Sequence, residues 1–246
     1  VTSILSRRFE AGLALTAIVA SLTLAADAAK AADLPYRGKL PPAPVISSQA
    51  PAGGLYGALR GSLNWLDDTR FDVLGLPVHN RYEMGYGVMG AVGYSFPNAF
   101  GAAGVRAELE LGYMNNDIKS HNVGGTTFAG ADAFGRTGAI TGLGNFYLDF
   151  GLGAFKPYLT AGAGFAAIDF KGHGVTPVGV VASNSDTVFA WQAGAGVAVE
   201  IASMLSIELG YRYFQSGDFT VQAIDGTRTN TKLEQHTGLV GVRYGF

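Results

Sequence analysis

The chain has 246 residues, of which 36 are glycine, about twice the share of an average soluble protein. Charged residues make up only 15% and hydrophobic ones 48%, which excludes a disordered, solvated chain. Interior glycine costs a helix about 1 kcal/mol relative to Ala, so a helical protein is disfavoured, and nine prolines without a Gly-X-Y period exclude collagen. The lack of cysteine removes disulfides, thiolate nucleophiles and Cys-based zinc sites. With 17 basic against 19 acidic residues and no basic stripe, nothing points to nucleic acid.

Arg7 and Arg8 precede an uncharged run at 11–26, followed by small residues to Ala32. This is the charged, apolar and A-x-A order of a secretory leader, expected to be removed after Ala31 as residues 1–31. The run is shorter than the ~20 residues of a membrane-spanning helix. Residues 32–53 hold five of the nine prolines and no hydrophobic period, so an extended linker is expected there.

From residue 54 the pattern is period two. A first strand at 55–66 sets Leu55, Leu59, Leu63 and Trp65 against Tyr56, Arg60, Ser62 and Asn64. The second, 81–96, alternates Tyr86, Val88, Val92, Tyr94 and Phe96 with Gly85, Gly87, Gly93 and Ser95. The third, 103–114, opposes Val105, Leu109, Leu111 and Tyr113 to Arg106, Glu108, Glu110 and Gly112. The fourth, 137–150, puts Phe146, Leu148 and Phe150 opposite Asn145, Tyr147 and Asp149, and the fifth, 158–170, puts Leu159 and Phe165 opposite Gly162 and Gly164. The sixth, 187–201, is the clearest, with Phe189, Trp191, Val197, Val199 and Ile201 against Gln192, Gly194, Gly196 and Glu200. The seventh pairs Ile207, Leu209, Tyr211 and Tyr213 with Glu208, Gly210 and Arg212, and the eighth ends in Val240, Val242, Tyr244 and Phe246 against Gly241, Arg243 and Gly245.

Connections after the second, fourth and sixth strands are short, whereas those after the odd strands run to about 14–20 residues, the asymmetry of a transmembrane barrel with periplasmic turns and extracellular loops. Each strand exceeds the 9–11 residues that cross the hydrocarbon, and closure satisfies every backbone group. The reading is all-β: an eight-stranded antiparallel transmembrane up-and-down barrel over residues 54–246. No proline is expected inside a strand, with Pro97 and Pro157 at the periplasmic rim and Pro77 and Pro177 in outer loops. Tyr94, Phe96, Tyr244 and Phe246 form an expected lower aromatic girdle, and Trp65, Tyr82, Tyr113, Trp191 and Tyr213 an upper one. A soluble ligand-binding barrel would turn the apolar face inward and leave Arg106, Glu108 and Glu110 in solvent, which the sidedness disfavours.

The segments LGNFYLDF at 143–150, KPYLTAGAGF at 156–165, AWQAGAGV at 190–197 and IELGYRY at 207–213 resemble the opacity-type family of small outer-membrane β-barrels. The stretch AADLPY from Ala31 is similar to the alphaproteobacterial surface antigens of that family. The resemblance implies a porin-family protein of the cell outer membrane, exported through the periplasm. The terminal GLVGVRYGF resembles the strand read by the barrel assembly machinery, which implies Val242, Tyr244 and Phe246 as an assembly signal.

Inward charges are Arg60, Arg106, Arg212 and Arg243 against Glu108, Glu110, Asp149, Glu200 and Glu208, and Arg60, Glu108 and Arg212 fall at similar heights. An eight-stranded lumen is just wide enough for side chains, so a network that fills it is expected, with a charge-lined constriction for small solutes as the alternative. A hydrolase on Glu108 and Glu110 would need a substrate cleft. His79, His121 and His173 fall in successive outer connections and are the candidates for a loop metal or haem site, while parity puts His236 on the lipid face. A hydrolase at the lip would draw on Asp67, Asp68, His79, Asp117 and His121. The functional reading is a non-enzymatic, surface-presenting barrel without cofactor; its partners are outer-membrane lipid, lipopolysaccharide, the assembly machinery in biogenesis and an unnamed ligand of the loops, as for an adhesin.

Overall fold

The computed structural model describes residues 53–246 apart from 74, 102 and 177. The expected leader and the linker up to residue 52 lie outside the described residues. The strands are β1 (Gly54–Leu66), β2 (Thr69–Val73), β3 (Leu76–Tyr82), β4 (Gly85–Phe100), β5 (Ala103–Val123), β6 (Thr126–Ala129) and β7 (Ala133–Phe150). They continue as β8 (Phe155–Val175), β9 (Gly179–Ala202), β10 (Leu205–Ser216), β11 (Phe219–Gln222), β12 (Arg228–Thr231) and β13 (Glu234–Gly245).

Eight of them close a ring in the order β1, β4, β5, β7, β8, β9, β10, β13, every neighbour antiparallel. Closure is between first and last, from Tyr56 opposite Gly245 to Leu66 opposite Gln235. No edge remains in this ring, which is what a sheet in lipid requires. The two faces separate as the alternation predicts: Leu55, Leu59, Val88, Val92, Leu109, Leu111, Phe146, Phe165, Phe189, Leu209 and Val240 are exposed outward, while Arg60, Arg106, Glu108, Glu110, Glu208 and Arg212 are buried inward.

Three connections are tight, through residues 101–102, 151–154 and 203–204. Opposite them, the long connections expected as loops are themselves sheet. β2 and β3 form a hairpin that pairs with the extension of β5, β6 returns along β5, β8 and β9 continue together to Val175 and Gly179, and β11 pairs with β12. The β5–β6 hairpin turns through Gly124 and Gly125, whose φ of 55° and 95° are those a two-residue primed turn demands.

Two expectations are corrected. Pro77, Pro97 and Pro157 lie inside β3, β4 and β8. All three occupy terminal rungs: Pro77 and Pro157 follow close on a strand start, and Pro97 sits where the β4–β5 ladder is interrupted after Phe96. There a missing N–H costs little. Pro177 lies outside the described residues. The third strand also runs past its expected end at 114 into a segment expected as a loop, and there its alternation breaks: Arg81 pairs with Ser120 but Tyr82 with Ile118, so a bulge at Lys119 exchanges the faces of all that follows.

Candidate functional site

The interior is filled in two layers. In the lower one Arg60 joins three carboxylates, Glu108 at 2.8 Å, Glu110 at 3.1 Å and Glu208 at 2.9 Å. Arg106 donates to Asp149 at 2.7 Å and to Glu208 at 3.1 Å, Arg212 to Glu110 at 2.8 Å, and Arg243 lies 3.3 Å from Glu208. Tyrosine hydroxyls complete the shell: Tyr56 and Tyr147 donate to the two oxygens of Glu108 at 3.1 and 3.0 Å, and Arg212 donates to the Tyr147 hydroxyl at 2.7 Å. The Arg106 guanidinium stacks over the Tyr147 ring at 4.1 Å. Four arginines thus face four carboxylates, and buried ions are tolerable only when so matched.

The array differs from the sequence reading in two members. Glu200 lies apart, paired with Lys156 near the periplasmic end, and Arg212 engages Glu110 rather than Glu108. Parity shows which side chains face inward, but strand tilt and stagger decide which of them meet.

Glycine makes room for this layer. A Cβ on Gly93 would stand 2.4 Å from the Tyr56 ring, one on Gly196 2.4 Å from the Tyr158 hydroxyl, and one on Gly241 2.6 Å from Cγ of Arg60. Above the charges a cavity of about 20 Å³, lined by Met89, Glu110, Arg212, Phe214 and Gln235, holds at most a single water.

The upper layer is apolar. Leu66, Leu143, Ile168, Phe170 and Phe214 from the barrel wall meet Phe71, Val73 and Val78 of the β2–β3 hairpin and Phe219 and Val221 of β11. Phe71 packs edge-on against Phe170, with ring centres 5.8 Å apart. The hairpins therefore fold into the barrel mouth and cap it.

His121 and His173 are buried in this cap, ring centres 5.8 Å apart, and His173 stacks on Phe170 at 3.4 Å. His121 reaches Asn80 Oδ1 through Nδ1 at 2.7 Å and the Phe134 carbonyl through Nε2 at 3.1 Å. His173 Nε2 lies 3.1 Å from the Thr137 hydroxyl and 3.2 Å from the Arg136 carbonyl, and its Nδ1 has no hydrogen-bond partner. Burial holds both imidazoles below the ordinary histidine range, His173 down to about 3 with His121 adding repulsion.

The loop-site candidates do not converge. His79 is exposed on the opposite face of its hairpin from Asn80, and among the described residues no three His, Cys, Asp or Glu side chains are placed to hold a metal. Asp117 lies outside, 3.0 Å from Arg136, so it does not meet His121, which the bulge has turned inward. Asp68 is 3.7 Å from Arg81, and Glu108 and Glu110 are sealed by arginine. Tyr82, expected in the upper girdle, also turns inward to Thr69 at 2.7 Å. The girdle itself is built from Trp191, Tyr213, Tyr211 and His236, with Trp65 beside His236 and a 2.5 Å contact from the Tyr211 hydroxyl to His236. Tyr94 with Phe96 and Tyr244 with Phe246 line the lower rim.

Outside the cap, Asp68, His79, Arg81, Ser120, Asn122 and Thr127 line a polar cleft of about 290 Å³. Sequence reasoning missed this face, since it is assembled across β3, β5 and β6 by the bulge.

A closed barrel with an apolar exterior, aromatic rims and a charge-matched interior is an integral membrane protein of the outer-membrane type. The chain belongs to the outer membrane protein beta-barrel domain family, whose model matches residues 14–246, and it is a protein of the cell outer membrane. It is 29% identical over 196 residues to outer membrane protein PagN of Salmonella typhimurium, spanning 70% of this chain and 76% of that one. Among solved structures it is similar to Neisserial surface protein A, at 16% identity with 78% of this chain and 97% of that chain covered and a TM-score of 0.48. It is also similar to the outer membrane protease OmpT of Escherichia coli, at 8% identity, 80% and 98% coverage and a TM-score of 0.42. A fold of this class does not by itself decide activity, which has to be argued from side chains.

Proposed function

We propose that the protein is a non-conducting, non-enzymatic barrel that anchors a folded extracellular face and presents it for binding. The observation that carries this reading is the doubly filled lumen: a charge-matched layer surmounted by an apolar one, with about 20 Å³ between them. No dehydrated or hydrated ion passes such an interior without breaking either buried salt bridges or core contacts. The presented surface is the polar cleft around His79, Arg81 and Asn122. Outer-leaflet lipid and lipopolysaccharide meet the aromatic girdle, and the assembly machinery reads the exposed Val242, Tyr244 and Phe246 during biogenesis.

The deciding experiment is planar-bilayer recording on the refolded barrel, identified by its heat-modifiable gel migration. Silence at neutral pH is the expected result. Discrete conductance would support the narrow-pore reading instead, and Arg81→Ala with Asn122→Ala should abolish any whole-cell ligand binding while leaving gel migration unchanged.

A further inference from the structure

The buried histidines have no part in anchoring the barrel. His121 stands eight residues along β5 from the girdle residue Tyr113, so at about 3.3 Å per residue along a tilted strand it lies well above the hydrocarbon. His173 occupies the matching extension of β8. Together with the buried Thr69, Asn80 and Thr137 they form the polar part of a largely apolar cap, where the β2–β3 hairpin is seated on the barrel mouth.

Their surroundings treat protonation unequally. Both nitrogens of His121 face oxygen, so an imidazolium there keeps two hydrogen bonds. His173 has oxygen only at Nε2; a proton on Nδ1 would be a buried donor with no acceptor, in a ring stacked on Phe170 and 5.8 Å from His121. No buried carboxylate offsets it among the described residues. The titratable groups packed around it are His121 of β5 and Tyr82 of β3. β7 contributes the Thr137 hydroxyl and the Arg136 carbonyl, with the Arg136 side chain outside beside Asp117. β9 presents Ala182, and the Lys171 ammonium is exposed with Asp169. Asp68 acts electrostatically on Tyr82 from the rim.

We propose that the His121–His173 pair is an acid-sensitive latch: neutral, it seats the β2–β3 hairpin in the barrel mouth; protonated, it releases the hairpin and bares Phe71, Val78 and Phe170 at the cell surface. The closed cap favours the neutral rings and the open one restores their ordinary affinity for protons. Cap stability is therefore full above the ordinary histidine value of ~6.5 and falls as pH drops towards about 3, where the closed-state His173 itself titrates. A single imidazole of this kind raises the opening constant about 20-fold between pH 7 and pH 5.

The test is amide exchange of the full barrel in lipid vesicles, corrected for intrinsic rates, with β10 amides as internal reference. Hairpin amides at Phe71 and Val78 should lose about 20-fold protection or more from pH 7 to pH 5 while β10 stays protected. His173→Phe, which keeps the stack without a titrating nitrogen, should remove most of that dependence, whereas exposed His79→Gln should keep it. Should the phenylalanine variant fail to refold, His173→Gln serves the same purpose. Flat wild-type protection, or an undiminished slope in either His173 variant, overturns the latch. A barrel that conducts while its hairpin still opens with acid would instead overturn the filled-lumen reading and leave the latch standing.

Discussion

The two layers of the interior achieve the same thing by opposite chemistry. Around Arg60 every side chain is charged or hydrogen-bonded, and its neighbours are fixed by direction: guanidinium forks need carboxylates at set angles. Around Phe71 the contacts are apolar and non-directional, and the segment that makes them is a hairpin held by few connections. The lower layer therefore forms part of the membrane-spanning wall and fails as a unit. The upper layer rests on a hairpin paired with the extension of β5 above the ring, and the two histidines lie beneath it on the extensions of β5 and β8, where the proposed latch would open it without unfolding the barrel.

Several substitutions would break or sharpen this contrast. Arg60→Ala leaves Glu108, Glu110 and Glu208 short of their shared partner and should cost about 3–5 kcal/mol in a urea titration of the refolded barrel. Phe71→Ala should cost about 3 kcal/mol. Its effect should appear in hairpin amide exchange, with the global urea midpoint nearly unmoved; a global loss as large as that of Arg60→Ala would show that the layers are not separable. Gly241→Ala forces a Cβ to within 2.6 Å of the Arg60 side chain and should cost about 1–3 kcal/mol globally. Lowering pH from 7 to 5 should loosen the hairpin alone, for the reason given above. Arg136→Ala, on an exposed pair with Asp117, should leave stability unchanged at any ionic strength, which provides the surface reference.

How much of this was legible depended on distance along the chain. The faces of all eight wall strands follow from alternation, so the inward Arg60, Arg106 and Glu208 and the outward Leu109, Phe146 and Trp191 could be sorted from single segments. The inward faces are also rich in glycine, and Gly93, Gly196 and Gly241 are where Tyr56, Tyr158 and Arg60 need room. Tyr82 was misplaced because the expected strand 81–96 breaks at residues 83–84 between β3 and β4, which sets Tyr82 opposite Ile118; His121, expected in a loop, lies on the extension of β5 and is turned inward by the bulge at Lys119, and neither irregularity leaves a reliable mark on one strand read alone. The apolar cap was not foreseen. Phe71, Val78, Phe219 and Val221 come from short segments with too few residues to show a period, and they join one core only through folding of the outer connections.

The residues themselves determined the class of protein and its sidedness, because successive side chains on a strand must point to opposite faces whatever the strand pairs with. Tertiary structure decided the rest: that Glu200 answers Lys156 rather than the arginines, that Glu110 receives Arg212, and that two histidines from separate strands share one buried site. The physical reason is that register, tilt and bulges are set between strands distant in the chain, and only the closed ring fixes which side chains stand at the same height.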